Sequence, residues 1–148
     1  HQCFRRQRQM CIRDRSKSFT LNMKKKINTH KAPAAIGPYS QGIETDTLIF
    51  LSGQIPLDPE TMELVTGDEN QIRQVFKNIA ALCEEVDLSF DHIVKLNVSL
   101  KDLGLFGLVN DIMKELFDEP FPARAALQVA KLPLDSSIEV EAILTKNL

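Results

Sequence analysis

Cysteine is scarce in this chain. The 148 residues contain three, Cys3, Cys11 and Cys83, an odd number at irregular spacing. That pattern supports neither a disulfide framework nor a zinc cluster, and it fits a reducing compartment. Long apolar runs are absent too. None approaches the ~20 residues of a membrane-spanning helix, so no membrane partner is expected. The sequence holds no G-x-S-x-G and no phosphate loop, which leaves serine-hydrolase and nucleotide-binding readings without support. His30 and His92 have no partner at metal-ligand spacing, so no metal is expected. The net charge of −2 gives no overall attraction to nucleic acid or an acidic membrane surface.

What is present is an ordinary globular composition, 43% apolar and 26% charged, in a chain long enough for one core. Residues 1–22 stand apart. They carry Arg5, Arg6, Arg8, Arg13, Arg15 and Lys17 against the single acid Asp14, with no sustained periodicity. Such a segment reads as an organellar presequence, a solvated basic tail, or non-native sequence. A start at Met23 is the cleanest reading, with one domain over residues 23–148. The cytoplasm is the expected compartment, or an organelle if the first segment is a presequence.

Within that domain short strand signals alternate with two helical ones. "SQGIET" and "TLIFLSGQ" flank Asp46–Thr47 and predict a hairpin. Ile72, Val75, Phe76, Ile79, Leu82 and Val86 recur at three- and four-residue spacing. They predict a helix from about Glu69 to Val86, capped by Asp68 or Thr66. "HIVKLNVSL" is a third strand. Asp102 can cap a second helix that runs to about Phe117 and is stopped by Pro120. "RAALQVAKL" and "SIEVEAILT" are the last strands, joined through "PLDS".

The predicted order is ββαβαββ, an α+β fold with both helices on one sheet face. Ile138, Val140, Ala142 and Leu144 should meet the helices, as should Val94, Leu96, Val98 and Leu100. Glu139, Glu141 and Ile143 point the other way, onto a half-polar face that is either wet or buried against another subunit. In the second helix, Leu105, Leu108 or Val109, Ile112 and Leu116 can make the core contact. Phe106, Asn110, Met113 and Phe117 form a separate stripe, suited to a contact surface.

Several residues could carry chemistry. Arg124 is the only charge between Phe121 and Ala130, among small and apolar neighbours, and a buried guanidinium is costly without an anion. Glu139 and Glu141 are two carboxylates on one strand face, and burial of one beside the other would raise its pKa. Ser52-Gly53 ends a strand with a residue that lets a ligand approach the backbone.

The span from about Ile27 to the C-terminus resembles the RidA/YjgF family of enamine/imine deaminases. The resemblance rests on "APAAIGPYSQG", "SGQIPLDP", "IVKLNVSLKDL", "FPARAALQVAKLP" and "IEVEAI", in the right order and at the right distances. It implies a chorismate-mutase-like fold, a mixed sheet with two helices on one face. It also implies a homotrimer with active sites between subunits. By motif position Arg124 would bind the substrate carboxylate and Glu139 would serve as catalytic acid. Tyr39, Ser52, Gly53 and Asn110 would line the pocket. Ala126, also in the pocket, stands where some members have cysteine. Asp87 replaces a common glycine and Met113 an aromatic. The implied reaction is cofactor-free hydrolysis of 2-iminobutanoate and 2-iminopropanoate to 2-keto acids and ammonia.

The alternatives are a non-catalytic trimeric ligand-binding or regulatory module, or the ribonuclease and chaperone-like activities attributed to some relatives. Residues 23–148 offer no basic aromatic platform for RNA. Lys24, Lys25 and Lys26 are their only basic run, read as a solvated tail.

Overall fold

A computed structural model describes residues 24–148; residues 1–22, Met23, Cys3 and Cys11 lie outside the described residues. Six strands form one sheet in the order β1-β2-β3-β6-β4-β5. They are β1 (Lys25–Ile27), β2 (Gly42–Glu44), β3 (Leu48–Gln54), β4 (Ile93–Leu100), β5 (Ala123–Gln128) and β6 (Ile138–Thr145). Helix α1 (Asp68–Glu85) lies between β3 and β4 in the chain, and α2 (Phe106–Leu116) between β4 and β5. The β4–β5 pair is parallel and the other pairs are antiparallel, so the sheet is mixed.

The helical period of α1 and the alternation of β6 meet in one core. Ile72, Val75, Phe76, Ile79 and Leu82 are buried with Ile138, Val140, Ala142 and Leu144. Val109, Ile112 and Met113 of α2 join the same cluster, which puts both helices on one sheet face. Phe76 is fully buried and meets Phe90 and Phe117 edge-on, with ring centroids 6.3 and 5.8 Å away. Truncating a core phenylalanine of this kind costs about 3–5 kcal/mol.

The structure departs from the sequence expectations at five places. Lys25 and Lys26 are not a loose tail: they belong to β1, which pairs with β2 and buries Ile27, so the order is βββαβαββ. The N-cap of α1 is Gly67, with no side-chain cap. Asp68 falls inside the first turn, where its Oδ1 accepts a 2.7 Å bond from the Ser137 hydroxyl. In β4 the register shifts between Ile93 and Lys95, so Ile93 is buried and Val94 exposed. Asp102 caps a 3-10 turn, Leu103–Leu105, and α2 starts one turn later than expected. Finally, Met113 and Phe117 enter the core while Leu116 is exposed, so the expected Asn110 stripe is divided between core and surface.

Candidate active site

Arg124 sits on β5, at the sheet edge. Its Cα partner on β4 is Leu96, whose side chain is buried among the helices, so Arg124 shares the helix side of the sheet. There it reaches α2: its Nη1 donates to Asn110 Oδ1 at 2.7 Å and lies 3.3 Å from Met113 Sδ. The guanidinium also stacks over the Phe106 ring, 4.8 Å from its centroid. Phe106, Asn110 and Met113 recur at helical spacing, which is how one helix face reaches one cation.

Every ion pair among the described residues belongs to another cation: Lys25, Lys31, Arg73, Lys101, Lys114 or Lys146. Arg124 is therefore partly desolvated and oriented by neutral groups. Beside it opens a cavity of about 310 Å³ lined by Asn110, Met113, Lys114, Phe121, Pro122 and Arg124. Its charged groups are both cationic, and its walls are otherwise apolar or neutral. A planar anion such as a carboxylate suits it, because a guanidinium binds one through two parallel hydrogen bonds. Ala126 follows Arg124 on the same side of β5 and packs against the core.

Glu139 faces the other way. It alternates with the buried Ile138 and Val140 on β6 and pairs with Ser99 of β4 on the open side of the sheet. It is half-buried, and burial raises its carboxyl above the ordinary value, with the charge of Glu141 adding to the effect. Glu141 is exposed and accepts a 3.2 Å bond from the Asn97 amide. Gly53 makes room for Glu139: a methyl group there would overlap Glu139 Oε1 and come within 3.0 Å of its Cδ. The pairing of β3 with β6 is irregular between Leu51 and Gln54, the segment that holds Ser52 and Gly53. Ser52 donates its hydroxyl to Ser40 O at 2.6 Å, tying β3 to the Tyr39 loop.

Tyr39 borders a second cavity of about 200 Å³, together with Ile36, Gly53, Ile55, Met62 and Leu134 among others. Sequence reasoning did not mark Ile36, Met62 or Leu134. Met62 and Leu134 are left-handed residues without the glycine that signals such geometry, at φ 58° and 56°. Each such residue costs about 1–3 kcal/mol and persists only where its surroundings impose it.

Of the residues singled out from sequence, Arg124, Asn110 and Ala126 gather on the helix side. Tyr39, Ser52, Gly53 and Glu139 gather around β3 and β6. Strand β4 lies between β5 and β6, and Arg124 and Glu139 occupy opposite sheet faces, so one chain does not bring them to one small ligand. The described cysteine, Cys83, is buried in the core, and burial pushes its thiol up to about 12, far from a reactive thiolate.

The family model described as Endoribonuclease L-PSP matches residues 29–146. The chain belongs to the RidA/YjgF family. A RutC family protein of Pyrococcus abyssi is 49% identical, covering 84% of this chain and 98% of the relative. The 2-iminobutanoate/2-iminopropanoate deaminase of Mus musculus is 46% identical, covering 82% and 90%. Among solved structures, RidA from the Antarctic bacterium Psychrobacter superposes with a TM-score of 0.80 at 48% identity, covering 82% of this chain and 98% of that one. Escherichia coli TdcF with bound serine superposes at 0.79 with 40% identity, over the same shares. The sheet and two one-sided helices of this RidA/YjgF chain are thus the fold of its relatives, and no described helix is long and apolar enough to cross a membrane.

Proposed function

We propose that this RidA/YjgF protein hydrolyses small 2-imino acids, 2-iminobutanoate and 2-iminopropanoate among them, to 2-oxo acids and ammonia. The observation that carries the reading is an oriented guanidinium, paired with no acid among the described residues, beside a cavity sized for a small molecule. Arg124 holds the substrate carboxylate and Asn110 holds Arg124. Glu139 orients a water against C2 of the protonated imine and takes its proton as the C–O bond forms. It then returns that proton to the amine nitrogen. Glu139, again a carboxylate, accepts the hydroxyl proton as the C–N bond breaks, the carbonyl forms and ammonia leaves, and that proton passes to the departing ammonia as ammonium. A protonated imine is already electrophilic, so the chain's own groups need only position and move protons.

Because the two half-sites lie on opposite faces of one sheet, each complete site is composed of Arg124 from one subunit and Glu139 from the next. A closed ring of three is the assembly we propose. The open face suits burial against a neighbour: Phe50 and Leu127 are exposed, with Ile43 and Ile143 half-covered beside them.

The test is release of 2-oxobutanoate from freshly generated 2-iminobutanoate, with RNA cleavage measured in parallel. The parent protein should accelerate imine hydrolysis well above the rate in buffer. Glu139→Gln keeps size and hydrogen bonding but cannot shuttle a proton, so kcat should fall roughly a hundredfold. Carboxylate affinity should survive. A parent protein that leaves the imine at its buffer rate, or that cleaves RNA instead, sinks the proposal.

A further inference from the structure

The loop between β5 and β6 spends backbone energy to present an apolar side chain to solvent. Leu134 and Asp135 are consecutive left-handed residues, both at φ 56°, and neither is glycine. Four contacts impose this geometry. Lys101 Nζ pairs with Asp135 at 2.8 Å. The Lys101 amide donates to Ser137 O at 2.9 Å. The Ser137 amide donates to Gln71 Oε1, and its hydroxyl to Asp68 Oδ1, both at 2.7 Å. Ser136 between them is fully buried. The result is a Leu134 side chain left 66% exposed.

That side chain has no place in the core, but it borders the 200 Å³ cavity with Tyr39 and Gly53. Met62, left-handed as well, lines the same cavity, and Gly37, at φ 127°, sits between its lining residues Ile36 and Tyr39. Non-glycine left-handed residues thus converge on one largely apolar pocket from two separate loops, beside a loop that Gly37 lets turn freely. Strain held in place by its surroundings is a mark of a functional site.

We infer that Leu134 is a specificity-determining residue, whose left-handed turn sets an apolar wall of the pocket for the substrate's side chain. The inference rests on the proposed imine hydrolysis for its geometry. With the carboxylate on Arg124 and the attacking water at Glu139, the third substituent of C2 must leave toward the remaining concavity. Gly53 borders that concavity and, having no Cβ, lets the Glu139 carboxylate rest against its backbone, at the edge of the same concavity. Pro33, Ile36, Ile55, Leu57 and Met62 give it mostly apolar walls, with Tyr39, Gln41 and Gln54 as the polar lining. A branched or unbranched hydrocarbon side chain therefore fits better than a methyl or a charged one.

The experiment compares pyruvate with 4-methyl-2-oxopentanoate by calorimetry, and the two corresponding imines by turnover. The parent should favour the branched acid in both. Leu134→Asn suits the left-handed backbone but removes the apolar contact, and should lower that preference roughly tenfold, the scale of losing a few methylene contacts. Leu134→Met, similar in volume, should restore most of it. Binding reads the pocket without catalysis. If the parent discriminates between the oxo acids through Leu134 but hydrolyses no imine, the pocket stands and the hydrolysis reading falls. If imines are hydrolysed and Leu134→Asn leaves the preference unchanged, the inference about Leu134 is overturned alone. A parent that shows no preference for the branched acid, or binds neither, overturns it as well.

Discussion

Around Arg124 the neighbours are neutral: an asparagine oxygen, a thioether and a phenylalanine ring. Around Glu139 they are a glycine backbone and a second carboxylate. The first half is prepared by orientation. What matters there is where the guanidinium plane points. The second half is prepared by electrostatics. Burial and, to a smaller extent, the charge of Glu141 raise the Glu139 carboxyl above its ordinary value. The comparison teaches that one chain holds a cation through neutral contacts on one sheet face and a carboxyl with a raised pKa on the other.

The largest expected effect breaks the binding half. Arg124→Ala loses charge and geometry and should cut kcat/KM for 2-iminobutanoate by more than about a hundredfold, the worth of two charge-assisted hydrogen bonds. Arg124→Lys keeps the charge without the fork and should recover only part of that. Mixing settles whether the halves come from different subunits. Arg124→Ala and Glu139→Gln chains refolded together should regain activity in about a quarter of the sites, since random closed rings place an intact Arg124 beside an intact Glu139 that often. Light scattering should give three chain masses for each variant. Two silent variants that stay silent when mixed would put both groups in one chain and contradict the face assignment.

Much of this arrangement was legible in the sequence, and the reason is periodicity. Ile138, Val140, Ala142 and Leu144 alternate without interruption, and all four are buried. That pattern also set Glu139 on the open face. The period of α1 was equally clean. Legibility failed where a period is broken or where contacts are made far away in sequence. The irregular pairing near Val94 exchanges inside for outside in one step. Strand β1 has three residues, two of them lysine, and only its pairing with β2 makes it a strand. In α2, Met113 serves two masters: it is buried in the core and touches Arg124, so a split into separate stripes could not describe it. The sequence around Leu134 reads as an ordinary turn, because the residues that impose its geometry are Lys101, Asp68 and Gln71.

A milder change perturbs the catalytic half without touching charge. Gly53→Ala places a methyl where Glu139 Oε1 now rests. The obstacle is the far end of a flexible side chain, so the fold should yield by moving Glu139, and the melting temperature should change little. The carboxylate would then be displaced from its water, and kcat should drop about tenfold, in keeping with the cost of misplacing a reacting group. Binding of 2-oxobutanoate at Arg124 should hold. A large loss of stability with kcat intact would show that Gly53 serves the backbone rather than Glu139.

The smallest effect separates the two causes of the raised Glu139 carboxyl. Burial is the larger and the charge of Glu141 the smaller. Glu141→Gln removes only the second, so the Glu139 value should move part of the way back down. In the proposed reaction the water-orienting form is the carboxylate, which is lost as pH falls through its pKa. The acid limb of kcat/KM should therefore shift to lower pH in Glu141→Gln, with the plateau changed no more than about twofold, as for a neighbour that is not itself a proton carrier. Stability should follow the opposite sign. A carboxyl whose folded value is raised binds its proton more tightly in the folded chain. Its contribution is thus lost as pH rises from the unfolded value through the folded one. Glu141→Gln should narrow that window, and Glu139→Gln should abolish it, making the Glu139→Gln protein slightly more heat-stable than the parent at neutral pH but not in acid. A limb that moves to higher pH in Glu141→Gln would mean that Glu141 stabilises the ionised Glu139, against the like-charge repulsion on which this half of the comparison rests.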